Sequence, residues 1–272
     1  MLKIFHLDIN NFGDAINHAL IERLLGVKCC KGTKLRSDII GIGSILTAFT
    51  RTKLKYKIRN LFSTPATVWT SGFIKEVDYK EEFRKNISFA ALRGKVSKER
   101  VERITGKTLD IPLGDGGLLF SKLLDKQPVK KYSLGIVPHF VDKDNAVIKK
   151  IYDENPNSVI IDVRQPPLET LEQIASCDFI ISTAMHGLIA ADSLGIPNKW
   201  IEVSDKVIGN GYKFKDYYSV FENYEQQPFR PDETNIVNAE KIKEWQDNYN
   251  LTLNEVDNIS QRLYQALRKI EY

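Results

Sequence analysis

Cysteine is scarce in this sequence: there are 3 in 272 residues, at Cys29, Cys30 and Cys177. An odd count leaves one unpaired, and adjacent cysteines are badly placed to bridge each other. The chain therefore reads as no disulfide scaffold, and a reducing cytoplasm suits it. The 4 histidines, His6, His18, His139 and His186, are scattered, and neither CxxC nor HExxH occurs. That spacing argues against a structural zinc site, and no metal or cofactor is expected. A large charge of one sign is missing too. Lys+Arg 39 against Asp+Glu 35 leaves +4, which fits a small anionic ligand or a lipid headgroup surface and falls far short of a nucleic-acid footprint. Long apolar runs are also absent. The uncharged, largely apolar stretch Phe179–Ala191 contains His186 and Gly187 and is well short of the roughly 20 residues a bilayer span needs. The opening Met1–Asp8 breaks its apolar run too early for a signal peptide. The expectation is a soluble cytoplasmic protein that meets a membrane only peripherally, at the inner face.

What is present is an ordinary globular balance, 42% hydrophobic and 27% charged, on a chain long enough for two domains of about 100–150 residues. Strand patterns at Leu2–Leu7, Ile39–Gly43, Thr67–Trp69 and Ile87–Leu92 each open into a turn of small or polar residues. Between them, Ile16, Ala19, Leu20 and Leu24 mark a helix that Gly26 should stop, and Ser97 is placed to N-cap a helix carrying Val101 and Ile104. Residues 51–60 form a basic run, read as a solvated face. The second half is more regular. Strands at Ser133–Val137, Ser158–Val163, Phe179–Ser182 and Lys199–Val203 alternate with helices over about 142–154, 167–176 and from Thr183 to Gly195. Strand–helix alternation implies βαβ units and parallel sheets. A stripe of Leu253, Val256, Ile259, Leu263, Leu267 and Ile270 predicts one buried face on a C-terminal packing helix.

In parallel α/β sheets ligands bind at the carboxyl ends of the strands. The polar residues standing there are Asn10, Asn11, Asp14, Ser44, Ser71 and Arg93 in the first half. In the second they are His139, Arg164, Ser182, Thr183 and His186. His186 falls in the first turn of a helix, where unpaired N–H groups favour an anion, and Gly187 permits close approach. Arg93 and Arg164 directly follow apolar strands, where a guanidinium can grip a carboxylate or phosphate. Asp14 can cap its own helix or work on a sugar hydroxyl. Gly41-Ile-Gly43 lacks the third glycine of a dinucleotide fingerprint, and Gly114-Asp-Gly-Gly117 lacks a P-loop lysine.

Several stretches form an ordered series: Asn10-Asn-Phe-Gly13-Asp14, Ala91-Leu-Arg93-Gly94, Leu113-Gly-Asp115-Gly-Gly-Leu118, Gly135-Ile-Val-Pro-His139-Phe-Val-Asp142, Ile160-Ile-Asp-Val-Arg164, the run from Ser182 through His186 to Pro197, and Ser204 to Tyr218. The series resembles the polysaccharide pyruvyl transferase family, most of all its bacterial exopolysaccharide and capsule members. The resemblance implies an α/β fold of two Rossmann-like domains facing a cleft, similar to GT-B glycosyltransferases, with a C-terminal helix strapping the lobes. It divides the chain into 1–125 on the acceptor side, 126–235 on the donor side and 236–272 as helices packing back. It implies transfer of the enolpyruvyl carbons of phosphoenolpyruvate onto two hydroxyls of a sugar or lipid-linked oligosaccharide, as a cyclic ketal, with release of phosphate. His186 would be the general acid. Arg93, His139, Arg164 and Lys213 would surround the donor, with Ser182 and Thr183 helping at the helix start. Asn11, Gly13 and Asp14 would face the acceptor, Asp14 as base. Two positions depart from the family pattern: Ala184 stands where many members carry arginine, and Gly94 where others carry aspartate.

Two rival readings keep the architecture but change the task. One is a nucleotide-sugar glycosyltransferase, in which Glu202 would hold a ribose. The other is a non-catalytic glycan-binding relative.

Overall fold

Short apolar strands that open into small-residue turns dictate a parallel arrangement, because each must return through a helix before pairing again. The computed structural model describes residues 1–7, 11–50, 62–126, 128–232 and 234–272. Asn10 and the basic run 51–60 lie outside the described residues.

The first half contributes β1 (Leu2–Phe5), α1 (Phe12–Ala15), α2 (Asn17–Leu25), β2 (Cys29–Lys31), β3 (Ile39–Ile40), β4 (Ala66–Trp69), β5 (Ile87–Ala91) and α3 (Lys95–Thr105). A 3-10 segment, Gly116–Leu123, leads to the second half. There follow β6 (Tyr132–Val137), α4 (Ala146–Glu154), β7 (Ser158–Ile160), α5 (Pro167–Ala175), β8 (Cys177–Ser182), α6 (Met185–Ser193), β9 (Asn198–Trp200), α7 (Tyr212–Tyr218), α8 (Ala239–Asp247) and α9 (Leu253–Arg268). Among the described residues there are two sheets, a five-stranded one ordered β2-β1-β3-β4-β5 and a four-stranded one ordered β7-β6-β8-β9. Every pairing between these strands is parallel.

Helix α2 ends at Gly26, whose φ of 70 is the left-handed conformation that releases the chain. Helix α3 departs from expectation. It starts at Lys95 with Gly94 at the N-cap, and Ser97, inside the first turn, donates instead to Asp216 Oδ2 at 2.6 Å. The short β2 was not anticipated at all.

The halves are packed into one another. One hydrophobic cluster runs from Leu2, Ile4 and Phe12 through Leu118 and Leu188 to Val256, Leu263 and Leu267. Two smaller clusters include Phe5, Val68 and Phe73 of the first half, and Ile136, Phe179 and Ile201 of the second. The Phe12 N–H donates to the Val163 carbonyl at 2.7 Å. Helix α9 buries Val256, Ile259, Leu263 and Leu267, as its stripe predicts, but Leu253, the residue after its Thr252 cap, is exposed. Trp69 Nε1 donates to the Leu263 carbonyl at 3.0 Å, and Ser260 Oγ to that of Leu118 at 3.2 Å. Helix α6 is apolar on nearly every side and correspondingly buried, His186 being its half-buried residue.

Candidate active site

The turn between β8 and α6 is built by its own side chains. Ser182 Oγ accepts the Ala184 N–H at 3.0 Å and lies 2.7 Å from the Val137 carbonyl. A Cβ on Gly187 would fall 2.6 Å from Ser182 Oγ, so the helix starts this close to the strand only with glycine there. Thr183 Oγ1 accepts the His139 N–H at 2.8 Å. Ser182 and Thr183 thereby shape the helix start and hold the His139 backbone.

This turn places His186 against α1. A Cβ on Gly13 would sit 1.9 Å from His186 Nδ1, so Gly13 is the floor on which the imidazole rests. His186 as a whole is half-buried, yet its Nε2 is enclosed with no hydrogen-bond partner among the described residues. The ring lines a cavity of ≈ 160 Å³ together with Asn11, Asp14, Gly43 and Ser44 from the first half and His139, Lys206 and Lys213 from the second.

Burial and like charge set the ionisation of this cavity. His186 is pushed down to about 3, first by burial and then by Lys213, Arg93 and His139. His139 falls to about 4 through burial and Lys213, with Asp142 opposing. Lys213 falls to about 8 through burial and Arg93, while Asp14 and Asp142 pull the other way. Asp14 is raised to about 7 by burial, against Asn11, Lys213 and the Leu7 amide. Lys213 is almost fully buried and forms no side-chain hydrogen bond or ion pair among the described residues. Two imidazoles, an ammonium and a carboxyl, each displaced from its usual range, therefore share one small space. Such convergence makes this cavity the candidate functional site.

The other expected residues stand further back. Arg93 is wholly buried and committed to protein partners: Nε donates to Asp216 Oδ2 at 2.9 Å, Nη2 to the Phe73 carbonyl at 2.7 Å and Nη1 to Ser44 Oγ at 2.5 Å. It meets the cavity through Ser44. Arg164 is exposed, its guanidinium 5.2 Å from the centre of the Phe140 ring, which itself lines the cavity. Lys206 at the cavity wall and the buried Asp142 are not among the site residues the sequence predicts. Lys206 lies in the quoted Ser204–Tyr218 stretch, which was the available signal. Larger clefts exist, one of ≈ 970 Å³ between β5 and α9, but its lining shares no residue with the titratable cluster.

A model of the polysaccharide pyruvyl transferase family matches residues 8–205, most of the chain. The protein belongs to the polysaccharide pyruvyl transferase family. Membership makes pyruvyl transfer the chemistry to explain, and places Asn11, Gly13, Asp14, Arg93, His139, Arg164, Ser182, Thr183 and His186 inside the matched span. Lys206 and Lys213 lie just beyond it. An uncharacterized protein of Acanthamoeba polyphaga mimivirus is 27% identical over 219 residues, 78% of this chain and 71% of that one. A functionally uncharacterized Klebsiella pneumoniae structure aligns at 12% identity with a TM-score of 0.47, covering 85% of this chain and 92% of that chain. No described helix of this pyruvyl transferase is long and apolar enough to cross a membrane. No group of three or more His, Cys, Asp or Glu among the described residues could hold a metal ion.

Proposed function

We propose that this pyruvyl transferase takes the enolpyruvyl group of phosphoenolpyruvate and places it on two hydroxyls of one sugar, as a cyclic ketal, releasing phosphate. The observation that carries this reading is the shared cavity of His186, His139, Lys213 and Asp14. Its size suits a donor of few atoms, and Lys213 is a buried ammonium with no counter-ion contact among the described residues. The donor carboxylate and phosphate supply that contact, with Lys206 at the rim and Arg93 contributing its field through Ser44.

The chemistry follows from the donor being an enol phosphate. The methylene carbon must gain a proton before the adjacent carbon becomes electrophilic. His186 delivers that proton once the donor's negative charge offsets Lys213 and Arg93 and restores its basicity. One sugar hydroxyl attacks the electrophilic carbon and gives its proton to Asp14, whose raised pKa suits a base working near neutrality. The bond from that carbon to the phosphate-bearing oxygen then breaks. The second hydroxyl attacks the same carbon and closes the ring, and its proton leaves with phosphate. Of the two hydroxyl protons, one replaces that spent by His186 and the other departs on the product.

The acceptor in this reading is a repeat-unit sugar, free or lipid-linked, handled in the cytoplasm or at the inner membrane face without a further cofactor. The nucleotide-sugar alternative is weakened by Glu202. Its Oε2 is gripped by Arg230 Nε at 2.9 Å and Nη2 at 2.8 Å, which leaves a ribose only Oε1 of that carboxylate.

The test is phosphate release from phosphoenolpyruvate across a panel of defined glycosides, with thermal stabilisation by phosphoenolpyruvate and by nucleotide sugars measured in parallel. His186→Gln should keep stabilisation by phosphoenolpyruvate and lose phosphate release. Near-normal turnover in that variant removes the acid assignment, and stabilisation by nucleotide sugars alone removes the donor.

A further inference from the structure

A second cleft, of ≈ 620 Å³, adjoins the donor cavity and is lined by Asp142, Thr183, Trp200, Glu202, Ser204 and Asn210 among others. That volume is typical of small-molecule sites, which run from about 300 to 1,000 Å³. One stretch of chain forms the wall between the two spaces: Asp205 and Val207 face the cleft, whereas Lys206 and Ile208 face the cavity. Thr183 joins them as well, lining the cleft while its hydroxyl holds the His139 backbone.

Asp142 is the unexplained group here. Its residue is 1% exposed. Oδ1 takes the Ser204 hydroxyl, while Oδ2 is buried with no hydrogen-bond partner among the described residues. A buried carboxylate oxygen left unpaired is costly, so such an atom at a cleft wall is a place for a donor from a ligand. Its charge reaches both His139 and Lys213 across the wall. The two spaces also have opposite character. The ionisable cleft lining is Asp142, Glu202 and Asp205 against Arg230 alone, whereas Lys206 and Lys213 face Asp14 in the cavity. An anion is repelled from the first and drawn to the second. The cleft therefore suits an uncharged guest rich in hydroxyl donors.

We propose that this cleft is an acceptor subsite and that Asp142 Oδ2 accepts a hydrogen bond from a hydroxyl of the acceptor glycan other than the two that are ketalised. The inference rests on the donor reading above, and it moves acceptor recognition to the β9 side of the second sheet. The cleft holds the part of the acceptor next to the reacting sugar, whose two hydroxyls enter the cavity. The donor waits behind Lys206 and His139, so the two charge classes never compete for one space.

Saturation-transfer NMR with methyl β-galactoside, methyl β-glucoside and methyl α-mannoside tests this on the whole protein, alongside thermal stabilisation by phosphoenolpyruvate. The wild type should transfer saturation to at least one glycoside. Asp142→Asn should bind that glycoside about tenfold more weakly, the loss of a charge-assisted hydrogen bond. Gln227→Trp, at an exposed position that cannot disturb the core, should fill the cleft and abolish transfer. Gln227→Trp should keep the stabilisation by phosphoenolpyruvate. Transfer to none of the three glycosides, or equal transfer in both variants, overturns the subsite. Absence of stabilisation by phosphoenolpyruvate in the wild type, with glycoside binding as expected, counts against the donor and leaves the cleft assignment standing.

Discussion

Arg93 and Asp216 form an ion pair with both side chains fully buried, Nε to Oδ2 at 2.9 Å, and it ties the end of β5 in the first half to α7 in the second. Asp216 also takes the Ser97 N–H at 2.7 Å and the Ser97 hydroxyl at 2.6 Å. Lys213 lies one turn earlier on the same helix, so the pair sets where that ammonium enters the cavity. Removing one partner of such a pair strands the other charge, which costs about 3–5 kcal/mol. Arg93→Met should lower the unfolding free energy by that order in urea titrations. Arg93→Lys should recover little, because an ammonium cannot serve Asp216, Phe73 and Ser44 at once. A loss under about 1 kcal/mol in Arg93→Met would show that the pair does not hold the halves in place.

Gly13 and His186 give a sharper probe of positioning. Gly13→Ala puts a methyl group where Nδ1 now lies, so the imidazole must swing away while α1, which accepts alanine readily, stays formed. Misplacement of a catalytic group by about 1 Å costs on the order of 10²-fold in turnover. Phosphate release should fall by that order, with circular dichroism and the urea midpoint near wild type. Unchanged turnover would mean that the ring is not used where it rests.

Lys213 offers a pH test. It sits at about 8 because burial and Arg93 disfavour its charge. A donor carrying carboxylate and phosphate favours that charge, so binding raises the pKa and takes up protons. Affinity must then fall as pH rises above about 8, where the free protein has lost a proton that the complex retains. Calorimetry at that pH, in buffers of different ionisation enthalpy, should record proton uptake with phosphoenolpyruvate. Lys213→Met should abolish that uptake and allow His186 to titrate higher. Zero uptake in the wild type would exclude contact between this ammonium and the anion.

Much of the fold was legible because its signals are local. Ile39–Ile40, Ala66–Trp69 and Ile87–Ala91 are apolar runs followed by small residues, and that is enough to predict parallel strands. The short β2 escaped because Cys29-Cys30-Lys31 has no β-branched residue and lies at a sheet edge. Ser97 was misplaced because its hydroxyl goes to Asp216, 119 residues away, which outweighs the local capping signal. The strand-end rule put His139, His186 and Asp14 at the cavity, since it depends only on topology. It did not foresee that three arms of Arg93 would be occupied. Nor did it place Arg164, four residues past the end of β7, over Phe140 outside the cavity lining. The unpartnered oxygen of Asp142 is a property of tertiary packing and has no sequence signature.

Asp14 links this site to the stability of the whole molecule. Its carboxyl is raised from 3.8 to about 7, mainly by burial. Between those values the folded protein holds a proton that the unfolded chain has lost, so this group stabilises the fold at low pH and the benefit disappears as pH rises through about 7. At higher pH folding must bury the carboxylate as a charge. Asp14→Asn removes that penalty while keeping size and polarity. In urea titrations the variant should therefore match wild type near pH 4 and exceed it near pH 8, by on the order of 1 kcal/mol or more. Phosphate release should meanwhile fall, because an amide cannot take the hydroxyl proton. A stability difference that does not change between those two pH values would mean that Asp14 is not buried as a titrating group, and its role as base would fall with it.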